Sequence, residues 1–498
     1  MKLKNIILTG IAAIGFASCN DWLDIQPKTE IKLDKMFETE SGFKNALIGG
    51  YIMMTDSLIY GREMTITFMD VLAQQFEVKG TGNPYYYAKF YDYTRYKSTT
   101  ENFWIKNYRI IANMNAILEQ IDGKKDILHP THYANIKAEA LALRGFLHLD
   151  LLRMFGTYGT TVDPSKLDQL SIPYVTEYSK NISEQLSGKK VLELILKDLK
   201  EAEKLSEYWS PYNQVPQDEN YERPNDDNFY EYPRSRMNYW AIKATQARAY
   251  MWMGDYTNAL EAVKGFINKD KPAIKWMDPD DAINTEAKYK DLTFSTEHIF
   301  YINVTNLYNS LRPYVESFDI HGDFTSTPND DFLYKSEKNL NDTYEMGSGT
   351  GIGTSDYRYA AWWDKNDIEK KVEKFREVTD SKSDSKNKVP LIRKPEMFYI
   401  AAECYNNLNQ TAEAVKLLNE VRVARGIPYA NNLPEGLSKE ECAQEIEKEW
   451  KKEYISEGQL FYYYKRLGKE IQGASMGASD NMYKFPLPEK EIEIGGRQ

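Results

Sequence analysis

Two stretches of this chain carry the same helical spacing, and that repetition constrains the fold more than any other feature. In the first, NYWAIKATQARAYMWMGDYTNALEAVK (238–264), the markers are Ala247, Tyr250, Ala259 and Val263. In the second, EMFYIAAECYNNLNQTAEAVKLLNEVRVARG (396–426), Ala402, Tyr405, Ala414 and Leu418 stand at the same offsets. Each reads as two helices joined by a tight turn. Ala241, Ala244, Ala247 and Ala249 are small enough to let a neighbouring helix approach, while Trp240, Tyr250 and Trp252 supply bulk. Gly254 falls where the first helix must stop, because a residue without a Cβ takes the left-handed conformation there. Asp255 or Thr257 is placed to cap the next helix by accepting from a free backbone N–H.

A small residue followed by Tyr, then Ala followed by an apolar residue, resembles the helix pair of a tetratricopeptide (TPR) repeat. One pair cannot cover its own apolar face, so it needs stacked neighbours. Residues 101–121, 136–155 and 189–205 have the helical periodicity to provide them. The expected fold class is therefore mainly α. TPR-like pairs near 238–266 and 395–425 form a scaffold, and long, irregular, loop-rich insertions interrupt it.

With 498 residues the chain suits one large domain or two to three ordinary ones. A mean hydropathy of -0.62 and 28% charged residues exclude a polytopic membrane protein. A net charge of -11 gives a nucleic-acid partner no electrostatic support. The outlying number is 37 tyrosines, with aromatic residues at 13% of the chain. Many of these rings pack between helices, but clusters outside the helices suit contact with flat, partly apolar ligands.

The N-terminus is a targeting segment rather than part of the fold. Lys2 and Lys4 precede an apolar stretch from Ile6 to Phe16, which ends in Ala17-Ser18-Cys19. The apolar stretch is too short to span a bilayer. Small residues directly before a Cys resemble the lipobox of bacterial lipoproteins. That likeness implies a signal peptide over 1–18, lipidation at Cys19 and a tether over 19–35. Phe16 departs from the usual aliphatic residue. The other two cysteines, Cys404 and Cys442, fall on expected helices and read as buried thiols rather than a disulfide.

Further along, 36–51 reads as a helix capped near Thr39 or Ser41. GNPYYYAKFYDYTRY (82–96) has turn chemistry at Asn83-Pro84 and no helical stripe, so it is expected to be a loop. Residues 209–233 form a Pro-, Asn- and Asp-rich excursion. Residues 270–379 have poor periodicity and many aromatics, among them Phe318, Phe324, Tyr357, Tyr359, Trp362 and Trp363. Order resumes at Leu391, with Pro395 in the first turn of a helix.

The ordered set of CNDWLDIQPKTE after the lipobox, WIKNYRIIANMNAIL, AEALALRGFLHLDLLRMFGTYG, IRKPEMFYIAAECYN and FPLPEKEI resembles the SusD/RagB family of outer-membrane lipoproteins. The resemblance covers nearly the whole mature chain. It implies one SusD-like α-helical domain over 36–498, with a variable loop-rich region near 270–390 carrying the ligand site. It also implies a surface-exposed, lipid-anchored position on the outer membrane. Its expected partner is a SusC-like TonB-dependent transporter that imports an oligosaccharide ligand. Leu460 and Tyr463 stand where family members often carry Arg and Asp, so the ion pair of that subtype is expected to be missing.

A sugar ring packs its C–H face on an aromatic ring and needs polar partners at its edge. The expected ligand-binding residues are therefore Asn83, Tyr85, Tyr86 and Tyr87 in one loop, and Tyr357, Arg358, Trp362 and Trp363 in the other. Asp356-x-Arg358 also reads as a structural pair. Glu453 and Glu457 lie one helical turn apart and read as a solvated face rather than a glycosidase pair. Asp278, Asp280 and Asp281 read as a turn and cap for the segment at Ala282. His129 and His132 read as a weak surface pair, and His148 as a satisfied core residue. Gly347 to Gly353 lacks the following Lys of a phosphate loop. No catalytic, metal or cofactor constellation is expected. The leading reading is non-catalytic oligosaccharide capture. Peptide or glycopeptide capture and a TPR-type protein-interaction scaffold are the alternatives.

Overall fold

The computed structural model describes residues 33–206, 227–270, 272–315, 332–349, 352–364, 369–378, 380–383 and 385–497. Cys19 and the signal segment, most of the 209–233 excursion, and Phe318 and Phe324 lie outside them.

The longer helices are α1 (Glu40–Met54), α2 (Lys97–Ile121), α3 (Pro130–Phe155), α4 (Gly188–Ser206), α5 (Tyr239–Met253) and α6 (Tyr256–Val263). They continue as α7 (Leu307–Val315), α8 (Lys394–Asn407), α9 (Thr411–Ala424), α10 (Lys439–Glu453) and α11 (Gln459–Leu467). From α1 to α6 each helix packs on the next. Then α6 packs on α8, and α8 packs on both α9 and α10. The two helix pairs read from the sequence therefore stack on each other; α4, with a smaller share from α3, covers the first pair, and α2 packs one layer further out on α3.

The local signals explain most of these boundaries. Gly254 ends α5 at φ 73°, and Asp255 caps α6 by accepting from the Asn258 N–H at 3.1 Å. The second pair turns instead through Asn409 at φ 59°, a residue type that tolerates the left-handed region. Thr39 caps α1, as its spacing suggests. The helix expected from residue 136 begins earlier, at Pro130, whose fixed φ suits the first turn. Asp278 caps Pro279–Ile283, so that acidic cluster opens a helix just before Ala282.

Among the described residues, the irregular region contains two small antiparallel ladders. Strands β1 (His298–Asn303) and β4 (Lys388–Arg393) pair with His298 opposite Arg393 and Asn303 opposite Lys388. The chain between them thus leaves and rejoins the scaffold at one place. Strands β2 (Tyr334–Ser336) and β3 (Glu369–Lys371) form the second ladder.

Where these parts meet, the interior is ionic. Arg393, Arg425 and Arg358 reach the Glu453 carboxylate at 2.6, 2.8 and 3.1 Å. Arg393 also pairs with Glu457 at 2.6 Å, and Lys374 binds the same carboxylate. Glu449 takes Arg358 at 2.9 Å and Arg422 at 3.2 Å, while Glu297 takes Arg425 at 2.6 Å. Burial by itself would raise the pKa of Glu453, but the charges of Arg425, Arg393 and Arg358 reverse that and hold it well below the usual range. The expectation that Glu453 and Glu457 form a solvated face is therefore corrected: they are 0% and 3% exposed. Their cations arrive from other elements, which helix periodicity cannot register. Leu460 and Tyr463 are buried hydrophobics, and the carboxylate of Glu457 finds its cations at Arg393 and Lys374 instead.

The histidines divide similarly. His148 Nε2 accepts from the Val175 N–H at 3.0 Å, so Nδ1 carries the proton and donates to the Arg144 carbonyl at 2.8 Å. Burial drives its pKa down to about 3, which makes it the satisfied core residue expected. His132 is not a surface residue as expected: it is 2% exposed and its Nδ1 sits 2.6 Å from Glu40. Cys404 and Cys442 are buried free thiols. No helix among the described residues is long and apolar enough to cross a membrane.

Candidate functional site: an aromatic corner

The tyrosine-rich loop after the short helix Phe68–Leu72 sorts its rings into two groups. Three point inward and fix the loop to the scaffold. The Tyr85 hydroxyl donates to Glu63 at 3.0 Å, with its ring centroid 5.4 Å from that of Tyr314. The Tyr91 hydroxyl donates to the Leu72 carbonyl at 3.0 Å, and that of Tyr93 to the Met482 carbonyl at 2.5 Å. Tyr96 laces the loop to itself: its hydroxyl donates to the Pro84 carbonyl at 2.7 Å and accepts from the Ala88 N–H at 3.1 Å. Asn83 is buried in this framework, accepting from the Tyr85 N–H at 2.9 Å in a local turn.

With those rings anchored, Tyr86, Tyr87 and Phe90 are left at the surface. Tyr86 and Tyr87 are half-buried and Phe90 is 39% exposed. Tyr86 meets Tyr87 at 5.2 Å between centroids and 85°, and Phe90 at 5.5 Å and 71°. The rings therefore form a corner, not the coplanar platform that sugar stacking suggests from sequence. One ring offers a face while the next offers a wall. Two cations border it. Lys89 Nζ lies 4.1 Å from the Tyr86 centroid, and the Arg95 guanidinium lies 3.9 Å from that of Tyr87. Further along the chain, Tyr91, Asp92, Tyr93, Thr94 and Lys97 line one side of a 730 Å³ groove whose other side includes Asn481 and Leu487. That volume falls in the range of small-molecule sites.

The second expected set belongs to the interior. Asp356 caps the short helix Tyr357–Trp362 and binds Arg358, which is fully buried among Glu449 and Glu453. Trp362 is 0% exposed, donates its indole N–H to the Leu292 carbonyl at 2.7 Å, and packs on Phe294 and the Lys374 ammonium. Trp363 is 3% exposed and donates to the Tyr344 hydroxyl at 3.2 Å. A ring with both faces packed has none to give a ligand, so Trp362, Trp363, Arg358, Asn83 and Tyr85 are corrected from contact residues to framework. Tyr357 is half-buried against Gly426, where a Cβ would lie 2.4 Å from its ring. Lys89, Phe90 and Arg95 escaped the sequence reading. Their signal was the spacing: Lys89 and Phe90 stand three and four places after Tyr86, within reach across one tight turn.

Comparison with known proteins agrees with this architecture. The family described as "Starch-binding associating with outer membrane" matches residues 21–217, and the SusD family matches residues 211–493. Two SusD-like proteins from Formosa agariphila, P38 and P25, are 24% and 21% identical. The first alignment covers 98% of this chain and 96% of P38, and the second 99% of this chain and 97% of P25. Among solved structures, a SusD-like carbohydrate binding protein from Bacteroides vulgatus superposes with a TM-score of 0.67 at 18% identity, covering 91% of this chain and 96% of that one. Surface glycan-binding protein A from Bacteroides thetaiotaomicron, solved with laminarihexaose, superposes with a TM-score of 0.64 at 17% identity, covering 92% and 98%. Likeness at this level of identity concerns the fold.

Proposed function

The chain belongs to the SusD family, and from that premise we propose that it is a non-catalytic, lipid-anchored binding protein. In this reading it captures an oligosaccharide at the Tyr86–Tyr87–Phe90 corner and delivers it to a SusC-like TonB-dependent transporter in the outer membrane. Cys19 carries the anchor and opens the tether of residues 19–35. The observation that carries the reading is the sorting of the loop: its buried tyrosines make a rigid base, and two neighbouring rings and Phe90 remain available on it. Rigid aromatic groups on an anchored loop lose little conformational freedom on binding. A glycan complex of a protein with this fold, and the starch-binding description of the matching family, add support.

The test pairs affinity with stability. Tyr86→Ala, Tyr87→Ala and Phe90→Ala in the full-length protein are titrated with a glycan panel and melted. Truncating a stacking ring is expected to weaken binding by ~1–3 kcal/mol with little change in melt. Unchanged affinity in all three variants would remove the corner as the site. For the anchor, Cys19→Ala is expected to leave the membrane fraction, and a variant that stayed in it would refute lipidation there.

A further inference from the structure

Among the described residues, Lys89 is the cation of this corner that has no carboxylate partner. Its neighbours are all neutralised: Lys79 by Glu369, Arg95 by Asp92 at 3.1 Å, and Lys97 by Glu489 at 2.6 Å. Among the described residues Lys89 donates only to the Val78 carbonyl, at 3.2 Å. An ammonium has three donors, so two lack a protein partner. The group is also held in place, 4.1 Å from the Tyr86 centroid and 5.0 Å from that of Phe90. Burial lowers its pKa, and no acidic group offsets that. A partly desolvated, unpaired charge fixed between two aromatic rings is one that an incoming anion would stabilise. Because the whole chain carries a net charge of -11, a local positive point of this kind stands against the general field.

Building on the oligosaccharide reading of the same corner, we propose that it selects saccharides bearing an anionic substituent, a uronate carboxylate or a sulfate ester. The sugar ring packs on Tyr86 or Tyr87, and its anion accepts from Lys89. Arg95, already paired with Asp92 and lying over Tyr87, adds a second positive edge without being the primary partner.

The experiment uses oligosaccharides in matched pairs, titrated into the full-length protein. Uronate oligomers are compared with their carboxyl-reduced twins, and sulfated oligomers with their desulfated twins. The acidic member is expected to bind at least about tenfold more tightly, the scale of one charge-assisted hydrogen bond. That advantage should vanish in Lys89→Met, persist in Lys89→Arg, and shrink as salt rises from about 50 mM to about 500 mM. The melting temperature of Lys89→Met should match the parent, which separates a ligand contact from a structural role. The pair that shows the advantage identifies the anion as carboxylate or sulfate. If both twins bind equally and Tyr86→Ala weakens both, the charge selectivity is wrong while the saccharide site stands. If no pair binds, or Tyr86→Ala alters nothing, the saccharide reading itself falls and this proposal with it.

Discussion

Trp362 and Tyr86 share a chemistry that would serve a sugar, and only their surroundings separate them. Trp362 hands its N–H to Leu292 and stacks near Phe294, whereas Tyr86 is half-buried and its ring partners Tyr87 and Phe90 belong to its own loop. Trp362→Ala is therefore expected to lower stability by about 3–5 kcal/mol. Glycan affinity of the fraction that remains folded should be unchanged, as calorimetry beside titration would check. The same logic applies to Glu453. Replacing it with Gln takes away a buried carboxylate that three guanidinium groups share, although each keeps another at Glu457, Glu297, or Asp356 and Glu449, and a loss of about 3–5 kcal/mol is expected from denaturant unfolding. A loss below about 1 kcal/mol would mean that the network relaxes or admits water. These single-residue outcomes were the least legible part of the sequence. Asn83, Tyr85, Trp362 and Trp363 have the composition of a binding set, but their partners at Phe332, Glu63, Leu292 and Tyr344 lie far off in the chain. No local pattern says which of two adjacent rings meets a carbonyl and which meets water.

At the level of elements the sequence was far more open. Helix ends depend on near neighbours, so Thr39, Gly254 and Asp255 announced their caps, and the paired spacing announced α5–α6 and α8–α9. The helical core is likewise legible in its histidines, and it has a pH signature. His148 sits neutral in the fold with a pKa near 3, against an ordinary value of 6.5, and burial also lowers His298 well below that value. In the window between, the unfolded chain binds protons that the folded chain refuses, so stability rises with pH. Stability should thus be complete above about pH 6.5 and fall by about 2 kcal/mol through His148 alone on moving to pH 5, with His298 acting in the same direction. His148→Gln is expected to melt earlier at neutral pH yet show a shallower slope, leaving the share of His298. An undiminished slope would assign the titration elsewhere. A second loss belongs to lower pH, because Glu449 and Glu453 have depressed pKa values in the fold. Their stabilisation is present above the ordinary carboxylate range and lost as acidification protonates them.

On the scale of the whole molecule, the irregular region is tied to the helical stack by charge as well as by apolar contact. Asp356, Arg358 and Lys374 come from that region, and Glu449, Glu453 and Glu457 come from α10 and the turn after it. Scanning calorimetry of the full-length protein is therefore expected to give one cooperative transition. Two resolved peaks, with the first removing only the irregular region, would show that the ionic interior does not couple it to the stack. The long loop-rich stretch was legible as an interruption of periodicity. Its internal ladders and its charge partners were not, because both are set by residues that approach only after folding.

The β1–β4 ladder has a consequence for how such a chain can vary. Since departure and return occur side by side, lengthening or shortening the intervening excursion moves neither anchorage of the stack, and loop entropy changes only slowly with length. Charge is less forgiving than length. Among the described residues the excursion supplies Arg358 and Lys374, which pair with the buried carboxylates of Glu449, Glu453 and Glu457. A transplanted segment would therefore be admitted by its valence before its size. A graft of any length that kept cations at the places of Arg358 and Lys374 should seat, and one of the native length without them should leave a buried glutamate to take up a proton or stay out.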